Sequence, residues 1–286
     1  MVVTLKKRNA QRRMDAIRSR HPRHIEREYR RALERRVRTI GRFTHDAVDK
    51  YLVTKRDEIN ELARQDTQEE IVRGISRVIS GVRLTVEGQW TEKEDEDLAH
   101  DIGEQVDLFE TNQTARQWDA VMGVDPVFSD RAVQQIIGDF TAQNLQLIRD
   151  IGPEITEQVE EHLITAVREG QRAEDFSEIV QERLGVAESR AQLIARDQIG
   201  SMTGRITQAR QEDLGVTRYQ WSTSQDERVV GNPSGLYPEP TDETMHGDHW
   251  EREGEIYEWT HRHSDGHPGR AIQCRCTADP QIEDLL

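Results

Sequence analysis

Both cysteines of the chain and five of its ten histidines lie close together near the end of the sequence, and these residue types bind metal ions. The set is His246, His249, His261, His263, His267, Cys274 and Cys276. Two thiolates and two imidazoles form a tetrahedral ligand set that zinc accepts in closed structural sites. We therefore predict a zinc site with His249, His267, Cys274 and Cys276 as ligands. The alternative is a module without metal, in which Cys274 packs inward on a strand and Arg275 points outward.

The same histidines also allow a catalytic interpretation. His-Gly-Asp-His at 246–249 and His-Arg-His at 261–263 resemble parts of metal-dependent nucleases, in which a histidine activates water beside a bound cation. No second acidic ligand stands at a convincing position for this chemistry. The sequence also lacks a Gly-x-x-x-x-Gly-Lys phosphate loop, a Gly-x-Gly-x-x-Gly turn and a Gly-x-Ser-x-Gly elbow. We predict no enzyme and no catalytic residue, and a metal-dependent nuclease or hydrolase is the alternative.

Positive charge is concentrated at the start of the chain. Residues 1–42 hold 15 Lys or Arg against 4 Asp or Glu, whereas the whole chain has a formal charge of −15. The rest of the chain therefore carries a net charge of −26. Such a basic segment either contacts a polyanion or pairs with the acidic remainder. The predicted contact residues are Lys6, Lys7, Arg8, Arg12, Arg13, Arg18, Arg20 and Arg23.

Helical periodicity dominates the sequence as far as Gly215, because apolar residues such as Ile25, Tyr29 and Leu33 recur every three or four positions. Breaks are predicted before Pro22, at Gly152-Pro153 and at Gly185. A short strand or extended connector is predicted at 82–86. The first twenty residues are expected to become ordered only with a partner.

Strand-forming and aromatic residues become frequent after Gly215, at 216–223 and at 256–259. The predicted fold class is mainly α, an elongated multi-helix region followed by a small α+β or β-rich carboxy-terminal domain. The predicted domains are a basic arm at 1–42, a helical region at 43–128, a second helical part at 129–214 and the small domain at 215–286. A hydrophobic content of 34% argues against one large core.

Charged residues interrupt every apolar stretch, so no membrane contact is predicted. The start of the chain also lacks an apolar signal core. Cys274 and Cys276 are too close together to form an unstrained disulfide. These features predict a protein made in the cytoplasm.

A series of short motifs in fixed order resembles the phage Mu F-like minor head proteins, the phage head morphogenesis family. The motifs are Asn144–Ile148, Ala191–Arg196, Leu214–Val216, Tyr219–Arg228, His267–Gly269 and Cys274–Cys276, which together span about residues 140–279. The motif residues are Tyr219, Trp221, Asp226 and Arg228, and we expect Asp226 to Arg228 to form a tight turn with an internal ion pair. An insertion at 231–245 and Val230 in place of the family's second arginine depart from the pattern.

The resemblance implies a low-copy virion component of a tailed phage, made in the host cytoplasm and associated with the portal or the capsid interior. The partners it implies are the portal protein, the major capsid protein or both. Together with the charge pattern, it predicts that the basic arm contacts packaged double-stranded DNA. An acidic portal surface is the other possible target of the arm. A free cytoplasmic scaffold or regulator is a third hypothesis.

Overall fold

The computed structural model describes residues 2–60, 65–123, 126–236, 247–283 and 285, without the side chains of 2–6 and 65–67. His246 and the side chain of Lys6 therefore lie outside the described residues. The described part forms six helices: α1 (Val2–Asp15), α2 (Arg23–Asn60), α3 (Gln65–Glu87), α4 (Glu92–Met122), α5 (Asp130–Arg168) and α6 (Ala173–Asp213). Three strands follow: β1 (Arg218–Ser222), β2 (Ile256–Glu258) and β3 (Thr277–Gln281). The predicted fold class, mainly α with a small β-containing carboxy-terminal region, is confirmed.

Three predicted interruptions of the helices are wrong. Residues 82–86 belong to α3, because Val82 and Val86 continue the buried stripe of Ile71, Ile75 and Ile79. Helix α5 continues through Pro153, where the Thr156 hydroxyl donates to the carbonyl oxygens of Gly152 and Pro153 at 3.0 Å each. Helix α6 likewise continues through Gly185. Helix α2 also passes through the predicted boundary at 42–43.

The first residues form part of the fold, contrary to the prediction that only a partner would order them. Helix α1 packs against β3, and Met14, 1% exposed, joins a buried cluster with Trp118, Val216 and Ile282. The segment after α1 is hydrogen-bonded to β3, because the Ser19 amide donates to Asp279 Oδ1 at 2.6 Å. The predicted break near Pro22 is correct, because α1 ends at Asp15 and α2 begins at Arg23.

The chain divides into two compact units that alternate along the sequence. Unit 1 consists of residues 1–27, 100–141 and 196–286, and unit 2 consists of residues 28–99 and 142–195. Each unit therefore draws on several of the consecutive segments that the sequence suggested as domains. Among the described helices, none has an uncharged apolar stretch of the length that a membrane span needs.

Unit 2 is built from long amphipathic helices. Its buried residues include Leu33, Val37, Ile40, Ile75, Ile79, Val159, Leu163 and Phe176. Two polar contacts lie within this core. The Tyr29 hydroxyl donates to Asn144 Oδ1 at 2.7 Å, and the Arg36 guanidinium pairs with Asp95 while stacking over Trp90.

Unit 1 contains the sheet, whose strand order is β2-β1-β3 with both pairs antiparallel. Tyr219 and Trp221 of β1 are buried with Trp259, Ala271, Cys274, Cys276 and Ala278. The aromatic residues that become frequent after Gly215 thus supply much of this buried cluster. The alternation of β1 turns both aromatic side chains toward this cluster.

Two glycines of α6 allow the loop before β3 to approach the helix closely. A Cβ added to Gly200 would lie 2.5 Å from the Cys274 carbonyl oxygen, and one added to Gly204 would lie 2.3 Å from the Pro268 carbonyl oxygen. Gly269 has φ +83° and faces Gly200 in return. The backbone contact therefore positions the segment that carries both cysteines.

Unit 1 also contains a buried carboxyl group, Glu110 on α4. Its side chain is almost completely buried, and the Thr207 hydroxyl donates to Oε2 at 3.0 Å. Among the described residues, Oε1 has no hydrogen-bond partner. Burial raises the pKa of Glu110 to about 8, although its hydrogen bonds with Thr207 and Gln113 oppose the rise.

Candidate functional site

Three of the four predicted metal ligands lie together in unit 1. His249 Nδ1 is 3.6 Å from Cys274 Sγ and 3.5 Å from Cys276 Sγ. All three residues are buried, and their ligand atoms lie within 4.8 Å of one another. The two cysteines are free thiols. The segment before β3 supplies the sulfur atoms, and the loop between β1 and β2 supplies the imidazole.

Asp265 holds His249 from the side opposite the sulfur atoms. His249 Nε2 donates to Asp265 Oδ2 at 2.9 Å, and the Gly247 amide donates to the same oxygen at 2.7 Å. Arg252 donates to Oδ1 at 2.8 Å and stacks over the Trp221 ring, 4.8 Å from its centroid. Asp265 was not identified from the sequence as an acidic partner of the histidines. The only signal for it was its place in a turn, Ser-Asp-Gly, 16 residues after His249.

Contacts within the cluster shift the pKa of each of its titratable groups. Burial disfavours a charge on His249, but Asp265 and the Cys274 thiolate outweigh this effect and raise the pKa of His249 to about 9. A hydrogen bond with Cys276, supported by His249, lowers the pKa of Cys274. The pKa of Cys276 is raised by the same contact and by burial. Burial alone would raise the pKa of Asp265, but its hydrogen bonds with His249 and Arg252 lower it.

His267, the fourth predicted ligand, lies outside this group. Its Nδ1 atom is 2.9 Å from the Tyr219 hydroxyl, and His263 Nε2 is 3.1 Å from the same hydroxyl. The Trp259 ring packs against Tyr219 with centroids 4.2 Å apart. Burial lowers the pKa of His263 to about 4, with Arg252 adding to the effect. Tyr219 therefore organises a second histidine cluster beside the sheet.

The turn after β1 does not form the expected internal ion pair. The Arg228 amide donates to Asp226 Oδ1 at 3.0 Å, as in a tight turn. Within the described residues, the carboxylate of Asp226 is paired with Arg23 and Arg275 instead, at 3.9 Å each.

Arg275 also differs from the expectation that it points outward. Its side chain is only 14% exposed and forms a bidentate pair with Glu26, with Nε 2.9 Å from Oε2. His21 Nε2 is 2.7 Å from the same Glu26 oxygen. Burial alone would raise the pKa of Glu26, but His21 and Arg275 lower it to about 2. Arg275 thus links the Cys-Arg-Cys motif to the amino-terminal segment through an ion pair.

An open cavity of about 710 Å³ lies in unit 1 between the amino-terminal segment and the turn after β1. Its lining includes five arginines, Arg18, Arg20, Arg23, Arg27 and Arg275, with Asp15 as the lining carboxylate. Ser222, Thr223, Ser224, His21 and His24 also line it. We call this cavity the basic cleft. The Thr223 hydroxyl is buried at its wall and has no hydrogen-bond partner among the described residues.

The predicted contact residues divide into two groups. Arg18, Arg20 and Arg23 line the basic cleft. Arg8, Arg12 and Arg13 are exposed on α1, and Lys7 Nζ donates to the Glu283 carbonyl oxygen at 3.2 Å. Sequence reasoning missed Arg27 and Arg275 as members of the cleft, because neither charge nor spacing shows that Arg275 approaches the start of the chain.

The fold and the site together define a mainly helical protein whose small carboxy-terminal β-region carries a buried Cys-His cluster and forms a basic cleft with the amino-terminal segment. Residues 157–233 match the family described as Phage Mu protein F like protein. This match confirms the resemblance over a segment that includes the motifs Ala191–Arg196 and Tyr219–Arg228. The Cys274–Cys276 motif lies beyond the matched residues.

A protein of Haemophilus influenzae (strain ATCC 51907 / DSM 11121 / KW20 / Rd), described as an uncharacterized protein, is 29% identical to this chain over 174 residues. The alignment covers 60% of this chain and 34% of the relative. The chain thus spans about a third of the length of that relative. No solved structure matches the chain.

Proposed function

We propose that this chain is a head morphogenesis protein of a tailed phage, a minor virion component that docks to the portal or major capsid protein. Its basic cleft contacts packaged double-stranded DNA. The match of residues 157–233 to the Phage Mu protein F like family supports the first part. The second part depends mainly on one observation, the five arginines that line a single cavity of unit 1.

The cleft has the chemistry to bind phosphates. Arg18 and Arg23 expose 60% and 61% of their side chains, and their carboxylate partners, Glu253 and Asp226, lie at 3.5 and 3.9 Å. Such long, exposed pairs are weak, so a phosphate can replace the carboxylate. Guanidinium groups bind phosphate oxygens in a bidentate manner, and the nearby hydroxyl groups add hydrogen-bond donors.

Phosphate contacts make binding depend on salt rather than on base sequence. Each phosphate neutralised on B-DNA contributes about −0.9 to the slope of log K against log salt concentration. Three arginine contacts therefore contribute about −2.7 to the slope. The triple variant with Arg18, Arg20 and Arg23 changed to Gln should bind DNA more weakly and show a slope shallower by up to this amount.

Fluorescence anisotropy with a labelled duplex, measured over a salt series, tests this expectation. The matched control changes three exposed arginines of unit 2, Arg31, Arg35 and Arg73, to Gln, which alters the net charge by the same amount. If both triple variants lose the same affinity and slope, the effect is one of net charge, and the cleft has no special role. A variant that begins at residue 43 does not test DNA binding by the cleft, because it also removes Met14 from the core of unit 1.

The other hypotheses make different predictions. An acidic portal surface as the target predicts that the cleft variant loses portal binding but retains DNA binding. A nuclease needs a metal that substrate can reach, whereas His249, Cys274 and Cys276 are 4%, 7% and 5% exposed. We therefore expect no nicking of plasmid DNA with divalent cations, either by the chain or by its His249→Ala variant.

A further inference from the structure

We propose that His249, Cys274 and Cys276 bind one zinc ion, which stabilises the carboxy-terminal part of unit 1 by joining the loop between β1 and β2 to the segment before β3. The ligand atoms have the spacing that a zinc ion requires. A tetrahedral zinc with Zn–S of about 2.3 Å and Zn–N of about 2.0–2.1 Å places sulfur and nitrogen about 3.5–3.6 Å apart. The observed Nδ1–Sγ separations are 3.6 and 3.5 Å.

His249 has the orientation of a zinc ligand. An ionised carboxylate only accepts hydrogen bonds, so the contact with Asp265 places a proton on Nε2 of His249. The lone pair of a neutral imidazole then lies on Nδ1, the atom that faces both sulfur atoms. Histidine ligands of zinc commonly donate their other ring N–H to a carboxylate, which fixes the ring and strengthens the metal bond.

The charges of the site balance when zinc is bound. Zinc with two thiolates and a neutral imidazole has no net charge, and the adjacent Asp265 carboxylate is neutralised by Arg252 at 2.8 Å. A neutral centre suits a site whose three ligands are all buried, because an uncompensated charge there would be costly. In the zinc-bound state both sulfur atoms are thiolates and His249 is neutral, so binding releases the protons that these groups carry in the free protein.

The burial of the ligands favours a structural role for the ion. The described residues supply three ligand atoms, and His267 is held by Tyr219 at 2.9 Å. A water molecule or a further ligand completes the tetrahedron. The small sheet has strands of 5, 3 and 5 residues, so a metal crosslink adds stability that its limited core does not provide.

Metal analysis of the full chain, purified without chelator and dialysed after exposure to zinc chloride, tests this proposal. We expect about one zinc per chain, and close to none in Cys276→Ser. The matched control is His267→Ala, which should retain the metal because His267 belongs to the neighbouring cluster. Cobalt in place of zinc should show the visible absorption bands of a tetrahedral site with thiolate ligands.

A second variant keeps the test decisive if Cys276→Ser fails to fold. Asp265→Asn retains all three ligands and removes only the carboxylate that orients His249, so zinc affinity measured by chelator competition should fall about 10- to 100-fold. Wild-type protein with two reduced thiols and no bound zinc would overturn the proposal. Zinc retained at the wild-type level in a folded Cys276→Ser variant would overturn it as well.

Discussion

Replacing Glu26 with Gln tests whether the amino-terminal segment is part of the fold of unit 1. Glu26 is 7% exposed and receives the guanidinium of Arg275 and the imidazole of His21. The substitution keeps the size of the side chain but removes its charge. Arg275, only 14% exposed, would then lack its bidentate partner.

The magnitude follows from the pKa of Glu26, which the folded protein lowers from 4.5 to about 2. A pKa difference of one corresponds to about 1.4 kcal/mol, so the ionised carboxylate stabilises the fold by about 3 kcal/mol. Loss of one partner of a buried ion pair costs about 3–5 kcal/mol, which agrees. Because the folded pKa is lowered, this stabilisation is complete above about pH 4.5 and disappears as the pH falls toward 2.

Urea unfolding of the wild type and Glu26→Gln between pH 7 and pH 3 measures both effects. We expect the variant to lose about 3 kcal/mol at pH 7, and the difference between the two proteins to shrink below pH 4.5. Glu28→Gln is the matched control, because Glu28 is exposed on the same helix. A loss below about 1 kcal/mol at pH 7, typical of an exposed ion pair, would refute the reasoning. A difference that stays constant with pH would also refute it.

Two further substitutions test the interior of unit 1. The folded protein raises the pKa of Glu110 to about 8, so between pH 4.5 and 8 its carboxyl is neutral in the folded state and ionised in the unfolded state. The unfolding free energy should therefore fall by about 1.4 kcal/mol for each pH unit in this range. Glu110→Gln should remove this slope, whereas Glu104→Gln, exposed on the same helix, should keep it. Gly204→Ala should lower the unfolding free energy by about 1–3 kcal/mol because its Cβ meets the Pro268 carbonyl oxygen. Gly185 lies on the same helix, and a Cβ added there would meet open space, so Gly185→Ala should raise the unfolding free energy by up to about 1 kcal/mol. Thermal unfolding measures both variants, and equal effects of the two alanines would contradict the close contact at Gly204.

Much of the fold was predictable because local pattern determines it. Apolar spacing identified the long helices, and the change in residue types after Gly215 identified the small sheet. The errors arose where tertiary packing overrides local preference. Pro153 lies within α5, and Val82 and Val86, which favour strands in isolation, are buried on α3. No pattern in the sequence around Met14 indicated that α1 would pack against β3.

The candidate site was predictable in its residue types but not in its full geometry. Cys274 and Cys276 were natural choices because they are the two cysteines of the chain. The sequence suggested both His249 and His267 as ligands, and separating the two required the positions of Asp265 and Tyr219 in the fold. The inward position of Arg275 depends on Glu26, 249 residues away. Sequence spacing carries no information about contacts over such separations.

The most direct test of the proposed function is mass spectrometry of purified phage particles that encode this chain, with peptides quantified against the portal protein. We predict that the chain is present in mature particles at low copy number, and that the cleft variant with Arg18, Arg20 and Arg23 changed to Gln lowers the yield of DNA-filled heads. Complete absence of the chain from particles that contain DNA would contradict its assignment as a virion component.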